Sequence, residues 1–369
     1  MPLPSITPAQ AIMSLSFSPG IGVAAYWRLV SHFGGAIAAC AASEKALRQV
    51  EGLGERQRQA VTTAFSLLPA VRAEEERLAR LGGLCICHNQ PEYPEKLLQL
   101  ADPPPLVYAI GDISLLRQRA VAVVGARAAS SYGRRMAAVF AKGLAPQAVV
   151  VSGMALGIDG EAHHGALAAG GRSIGVLGCG LDVVYPPANA QLFMAMREKG
   201  LLVSEYPLGT PPDAFRFPAR NRIIAALSEA VVIIEAARRS GSLITAQMGL
   251  DIGREVFAVP GQADSAKSAG CHWLLREGAR IALSADDILA DLGFLGRDQP
   301  QATSTAAIAL TSEQAAVLAL LDPYPQSREG ILARSRLPPA QFSEIVIYLE
   351  LEGLLEAMPG DMLRRLSED

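Results

Sequence analysis

FPARNRIIAALSEAVVIIEAARRSGSLITA, residues 217–246, sets a short hydrophobic run, 230–234, between two polar stretches that carry arginine. A run this apolar and this short is a strand buried on both faces or a short core helix. Upstream stand Arg220, Asn221 and Arg222; downstream stand Arg238, Arg239, Ser240, Gly241 and Ser242. Arginine, serine and backbone N–H groups freed by glycine are the chemistry of phosphate binding. The stretch therefore predicts a phosphate site built from two arginine-bearing loops around one buried element.

The same kind of run recurs on both sides. Apolar segments at 120–124, 148–151, 173–177, 201–203, 255–259 and 280–283 alternate with helical stretches. Strand and helix in alternation predict an α/β fold with a parallel sheet and right-handed crossovers. The runs exit into Gly125-Ala126-Arg127, Ser152-Gly153-Met154, Gly178-Cys179-Gly180, Ser204-Glu205-Tyr206, Glu235-Ala236-Ala237 and Pro260-Gly261-Gln262. In such sheets ligands bind beyond the carboxyl ends of the strands, so these exits predict one shared crevice.

Outside this core the pattern changes. Residues 1–70 read as a helical domain with helix starts at Thr7-Pro8 and Ser18-Pro19. Pro19-Gly20-Ile21-Gly22 and Glu51-Gly52-Leu53-Gly54 each precede a helical stretch. Such a turn is either a helix-hairpin-helix device, offering N–H groups to a nucleic-acid backbone, or a tight turn between packed helices. Residues 71–295 form the core, and Asp102-Pro103-Pro104-Pro105 within it reads as an irregular connection. Residues 296–308 read as a linker. Residues 309–369 show three helical stretches and a hairpin around Pro359-Gly360-Asp361, a winged-helix pattern. Its third helix carries Glu344, Glu350 and Glu352 and no Lys or Arg. A duplex-reading helix needs positive charge, so a protein-contact or regulatory role is predicted instead.

A chain of 369 residues, 50% hydrophobic and 19% charged, folds around a sizeable core. Its net charge of −3 hides an asymmetry. Over 117–280, 18 Lys and Arg face 12 Asp and Glu; over 309–369, 5 face 10. A polyanion should meet the basic centre. Five cysteines without paired spacing suit a reducing cytoplasm. Cys85-Ile86-Cys87-His88 reads as strand, with no metal site expected. No signal peptide or membrane span is expected.

Catalytic signatures are sparse. The glycine turn at Gly125 lacks the dinucleotide fingerprint, and neither a Walker A Lys-Ser/Thr pair nor a G-x-S-x-G elbow occurs. Asp159 with His163 and His164 offers an acid–base pair on a helix; the alternative is an Asp that caps a helix and a His that packs. Glu205 and Glu235 stand at strand ends as bases or as partners for arginines. Phe215 and Phe217 lie beside Arg216 and Arg220, and Tyr132 near Arg127. Aromatic faces with arginines suit stacking of exposed bases in a single strand.

Several stretches together resemble the DNA-processing protein A family, DprA/Smf: AVVGARAASSYG at 122–133, VSGMALGIDGEAHHGAL at 151–167, GVLGCGLDVVYPPAN at 175–189, SEYPLG at 204–209, FPARNRII at 217–224, SGSLITA at 240–246 and Val259-Pro260-Gly261. The resemblance covers about 200 residues in order. It implies an extended Rossmann-like core with a helical N-terminal domain and a winged-helix-like C-terminal one. It implies a non-enzymatic protein without cofactor that binds single-stranded DNA and loads the RecA recombinase on incoming DNA in natural transformation, as a homodimer. The DNA-binding residues it implies are Gly125, Arg127, Arg220, Asn221, Arg238, Arg239, Ser240, Gly241, Ser242, Gly261 and His272. Ala126 stands where the family often has serine, and His272 where it often has asparagine. The competing expectation is a nucleotide-processing hydrolase on a related fold. The loop at 240–246 lacks the glutamate such enzymes carry there.

Overall fold

The computed structural model describes residues 6–294 and 310–366. The expected linker at 296–308 lies outside the described residues. The chain divides into two compact units, 1–296 and 297–369.

The first unit is built on a nine-stranded sheet. In chain order its strands are β1 (Gly83–Cys87), β2 (Leu106–Gly111), β3 (Ala120–Val124), β4 (Val149–Ser152), β5 (Ser173–Leu177), β6 (Leu201–Ser204), β7 (Ala230–Ile233), β8 (Glu255–Ala258) and β9 (Arg280–Ile281). Their order in space is β1-β2-β6-β5-β4-β3-β7-β8-β9. From β6 to β9 every neighbouring pair is parallel. The strands are apolar throughout because both faces are covered. Val121 and Val123 join the core on one face, Ala120, Ala122 and Val124 the core on the other. Ala230 and Val232, then Val231 and Ile233, divide the same way in β7.

Two outer strands depart from the all-parallel expectation. β2 runs antiparallel to β6, and β1 antiparallel to β2. β2 follows the prolines at 103–105 directly, where the sequence reads as irregular connection. A proline run ends at the strand's first residue without removing any donor from it.

The helices before β1 include Pro8–Phe17, Val23–Phe33, Glu55–Thr62 and Leu68–Arg80. They continue past residue 70, and their apolar side chains, Tyr26, Leu29 and Leu78 among them, share one cluster with Tyr108, Met196 and Leu202 of the core. Both Gly-x-Gly turns open helices: Gly20 and Gly52 have positive φ, and Gly22 and Gly54 are N-caps. Each turn is braced by the other's helix, through Gln57 Nε2 to Gly20 O at 2.9 Å and Arg28 Nη1 to Gly52 O at 3.1 Å. Gly22 and Val23 line grooves shared with Glu205 and Tyr206, so the first turn faces the core.

The second unit has helices Ser312–Ala319, Arg328–Ser335 and Pro339–Leu351, then strands β10 (Gln326–Ser327), β11 (Leu355–Met358) and β12 (Met362–Arg365) in a small sheet. Val317, Ile331, Phe342, Leu349 and Leu363 close its core. It is a winged helix. Its Pro339–Leu351 helix leaves Ile347 and Leu351 exposed beside Glu344 and Glu350.

Candidate nucleic-acid interface

Sheet order reverses at β3, whose neighbours are β4 and β7. Helices that follow strands on either side of such a point diverge and leave a crevice. Here the crevice has a volume of about 520 Å³. Gly125 and Arg127 enter it after β3, Ala155 and Asp159 after β4, and Ser240, Gly241 and Ser242 after β7. Phe217, Arg220 and Asn221 complete the wall.

The FPARN stretch is not a loop. It forms the first turns of the Arg216–Leu227 helix, and Arg220 is 4% exposed. Arg220 Nη1 donates to Gly153 O at 2.6 Å and also to Val176 O. Its Nε reaches Asn221 Oδ1 at 3.2 Å. Burial lowers its pKa to about 10, opposed by the nearby Asp159 carboxylate. Arg220 thus ties the exits of β4 and β5 together from beneath the crevice, rather than standing free as a phosphate donor. Asn221 crosses to the other stretch, with Nδ2 3.5 Å from Gly241 O.

In the downstream stretch Ser240, Gly241 and Ser242 reach the crevice. Ser240 caps the Gly241–Asp251 helix, and its Oγ meets Ser242 N at 3.4 Å and Ser242 Oγ at 2.8 Å. The bare backbone of Gly241 faces open space, so the positive end of the helix dipole looks into the crevice. Arg238 and Arg239 immediately precede this cap and are exposed, but they do not line the crevice. Gly261 and His272 lie elsewhere: Gly261 packs on Ser268, and His272 Nε2 sits 3.1 Å from Gly261 O.

Another part of the wall is assembled from distant stretches of the chain. Arg127 holds its guanidinium 4.9 Å from the Phe217 ring centroid. Tyr185 stacks on the same ring, with centroids 5.6 Å apart and planes at 30°. The three form a cation–aromatic–aromatic ladder along one wall of the crevice. Tyr185 carried no signal beyond its place in the Gly178 loop. Phe215 is exposed under Arg216, and Tyr132 turns away, its hydroxyl donating to Pro260 O.

The candidate catalytic groups are engaged in structure. His163 is fully buried; its Nε2 accepts from Met154 N at 3.3 Å, and its Nδ1 lies 2.7 Å from Ser173 Oγ. Ser173 Oγ itself donates to Val150 O, so Nδ1 carries the proton and the ring is neutral. Burial drives the His163 pKa down to about 3. Asp159 accepts from Gly153 N at 3.1 Å, and burial raises its pKa against the pull of Arg220. These groups hold Met154, whose φ of 59° is a left-handed strand exit, together with Asn189 Nδ2 on Met154 O. Glu235 is taken up by a helix cap rather than by an arginine. Its carboxylate accepts from Ser130 N at 2.9 Å and from Ser130 Oγ, fixing the start of the Ser131–Leu144 helix. Glu205 does hold an arginine, Arg222. Among the described residues lining the crevice there is no histidine and no cysteine.

A crevice at the switch point of a mostly parallel sheet, lined by arginine, stacked aromatics and a capped helix N-terminus, in a chain that also carries a winged helix, fits the class of proteins that handle nucleic acid. The chain belongs to the DprA/Smf family: residues 84–293 match the model of DNA recombination-mediator protein A and residues 300–361 that of the DprA winged helix domain. It is 39% identical over 284 residues to Protein Smf of Escherichia coli (strain K12), covering 74% of this chain and 75% of that one. The X-ray structure of DNA processing protein A from Streptococcus pneumoniae superposes with a TM-score of 0.70 at 34% identity, over 78% of this chain and 98% of that one. The Helicobacter pylori protein, whose structure describes a single-stranded DNA binding mode, gives 0.51 at 33% identity, over 54% and 92%. Among the described residues no helix is long and apolar enough to cross a membrane.

Proposed function

We propose that this chain grips single-stranded DNA in the β3–β7 crevice without chemical turnover, protects incoming DNA, and loads the RecA recombinase on it in natural transformation and recombination. The observation that carries this reading is the Arg127–Phe217–Tyr185 ladder sharing one crevice with the Ser240-capped helix N-terminus. The ladder offers faces to unpaired bases while the helix end, Arg127 and the exposed Arg238 and Arg239 meet phosphates. A duplex hides its base faces and cannot use the ladder. The single-strand binding named for the Helicobacter pylori relative supports the same reading. The non-enzymatic part rests on Asp159, His163 and Glu235 being occupied with backbone and cap neighbours. We place the protein in the cytoplasm as a homodimer. The sheet ends at β9, where exposed Ile281 and Leu283 form an apolar edge that a second copy would cover.

The test is stoichiometric binding of the purified chain to oligo-dT and to duplex of equal length, with and without recombinase. Oligo-dT should bind far more tightly, weakening steeply with salt, and filament assembly should quicken. Equal duplex affinity, or release of free base from nucleotides, would overturn the reading.

A further inference from the structure

A second concavity, of about 650 Å³, lies between the first Gly-x-Gly turn and the core helices. Its floor is apolar: Val23, Ala24, Leu100, Ala219, Met248 and Ile252 line it. Its charged lining residues are Asp102, Asp251, Glu205 and Arg222. Arg222, the one cation among these four, is spent, since it pairs with Glu205 and lies 3.3 Å from Asp102. Asp102 and Asp251 remain exposed at the rim. The groove therefore carries surplus negative charge over an apolar floor, which repels a phosphate backbone and excludes it as a continuation of the DNA crevice.

We propose that this groove docks a basic, apolar segment of a partner protein. Aliphatic side chains of the segment fill the floor, and its Lys or Arg side chains meet Asp251 and Asp102 at the rim. The groove also communicates with the crevice. One face of the Gly241–Asp251 helix gives Gly241, Ile244 and Thr245 to the crevice and then Met248 and Asp251 to the groove. Ile244 and Met248 are one turn apart, about 6 Å along the axis. A partner held here touches the helix whose N-terminus faces the DNA site, so it can sit on the protein while a strand is bound.

The groove stands on its own observations and does not depend on the identity of the crevice ligand. Its test uses a fluorescein-labelled peptide of alternating Leu and Arg, with an alternating Leu and Glu peptide of the same length as control. Fluorescence anisotropy with the full chain should show saturable binding of the first and none of the second. Met248→Lys should weaken the Leu/Arg peptide about tenfold by placing a cation on the floor, and Asp251→Lys about fivefold. Both side chains lie outside the crevice, so oligo-dT affinity of both variants should match the parent and certify their folding. Absence of peptide binding, or binding that Met248→Lys leaves unchanged, would overturn the proposal. Failure of the parent chain to bind oligo-dT would instead remove the crevice reading and leave the groove result standing.

Discussion

Gly153 and Arg220 are fitted to one another: a Cβ on Gly153 would lie within 2.6 Å of three atoms of the Arg220 guanidinium, whose Nη1 donates to the Gly153 carbonyl. The glycine leaves the space, and the arginine fills it and faces Asp159. Gly153→Ala should therefore push the guanidinium out of its seat and cost about 1–3 kcal/mol. Arg220→Ala should cost more, about 3–5 kcal/mol, because it strips the Gly153 and Val176 carbonyls of a buried donor and removes one of the two cations, with Arg127, that act on buried Asp159. Arg220→Ala combined with Asp159→Asn should recover part of that loss. Urea unfolding of the four proteins checks the order, and equal stability of the single and double variants would show that the pair is not coupled.

Arg127, in the crevice wall, and Arg239, just before the Ser240 cap, are exposed cations, and each should neutralise one phosphate. Arg127→Ala and Arg239→Ala should each reduce the dependence of log K on log salt for oligo-dT by about 0.7. Titrations from low to moderate salt measure this slope directly. A loss of affinity with an unchanged slope would mean that the residue positions the loop and does not meet phosphate.

Phe217 and Tyr185 should behave oppositely. Their rings supply stacking and no charge, so Tyr185→Ala should lower oligo-dT affinity by about 1–3 kcal/mol while leaving the salt slope as it is. Tyr185→Phe should bind like the parent. Phe217 also packs on Gly178, whose Cβ would meet the ring at 3.0 Å, so Phe217→Leu is the gentler test at that position. A Tyr185→Ala variant that binds normally would remove the ladder from the site.

How far the site was legible depends on which forces set each residue. The runs that became β3, β4, β5 and β7 announce themselves because burial on both faces demands unbroken apolar sequence. The glycine and serine exits follow, since a helix or loop must leave each strand at the same end. β2 was hidden by the prolines before it, and its antiparallel pairing with β6 is set by partners nearly a hundred residues away. Arg220 reads as a surface phosphate donor because a guanidinium is ordinarily solvated. Its burial depends on room left by Gly153 and on acceptors at Gly153 and Val176, which are 67 and 44 residues distant. Tyr185 is invisible for the same reason, as stacking on Phe217 is a property of the folded wall and leaves no periodicity in the chain.

His163 supplies the last prediction, on acid stability. Its pKa is near 3 in the folded protein, against 6.5 for an unperturbed imidazole, with burial as the main cause. Because the folded value is depressed, the unfolded chain binds the proton first as pH falls. Stability is therefore unaffected by this group above about pH 6.5 and is lost progressively from there down to about pH 3. At pH 5 the loss attributable to His163 is about 2 kcal/mol. The neutral ring is also needed geometrically, since a second proton on Nε2 would face the Met154 N–H and break the contact that holds the left-handed strand exit. His163→Gln should lower stability at neutral pH by removing part of this packing, yet flatten the acid limb between about pH 6.5 and 4. Urea midpoints measured across that range for parent and variant decide the matter. Parallel limbs in the two proteins would show that another group governs the acid transition.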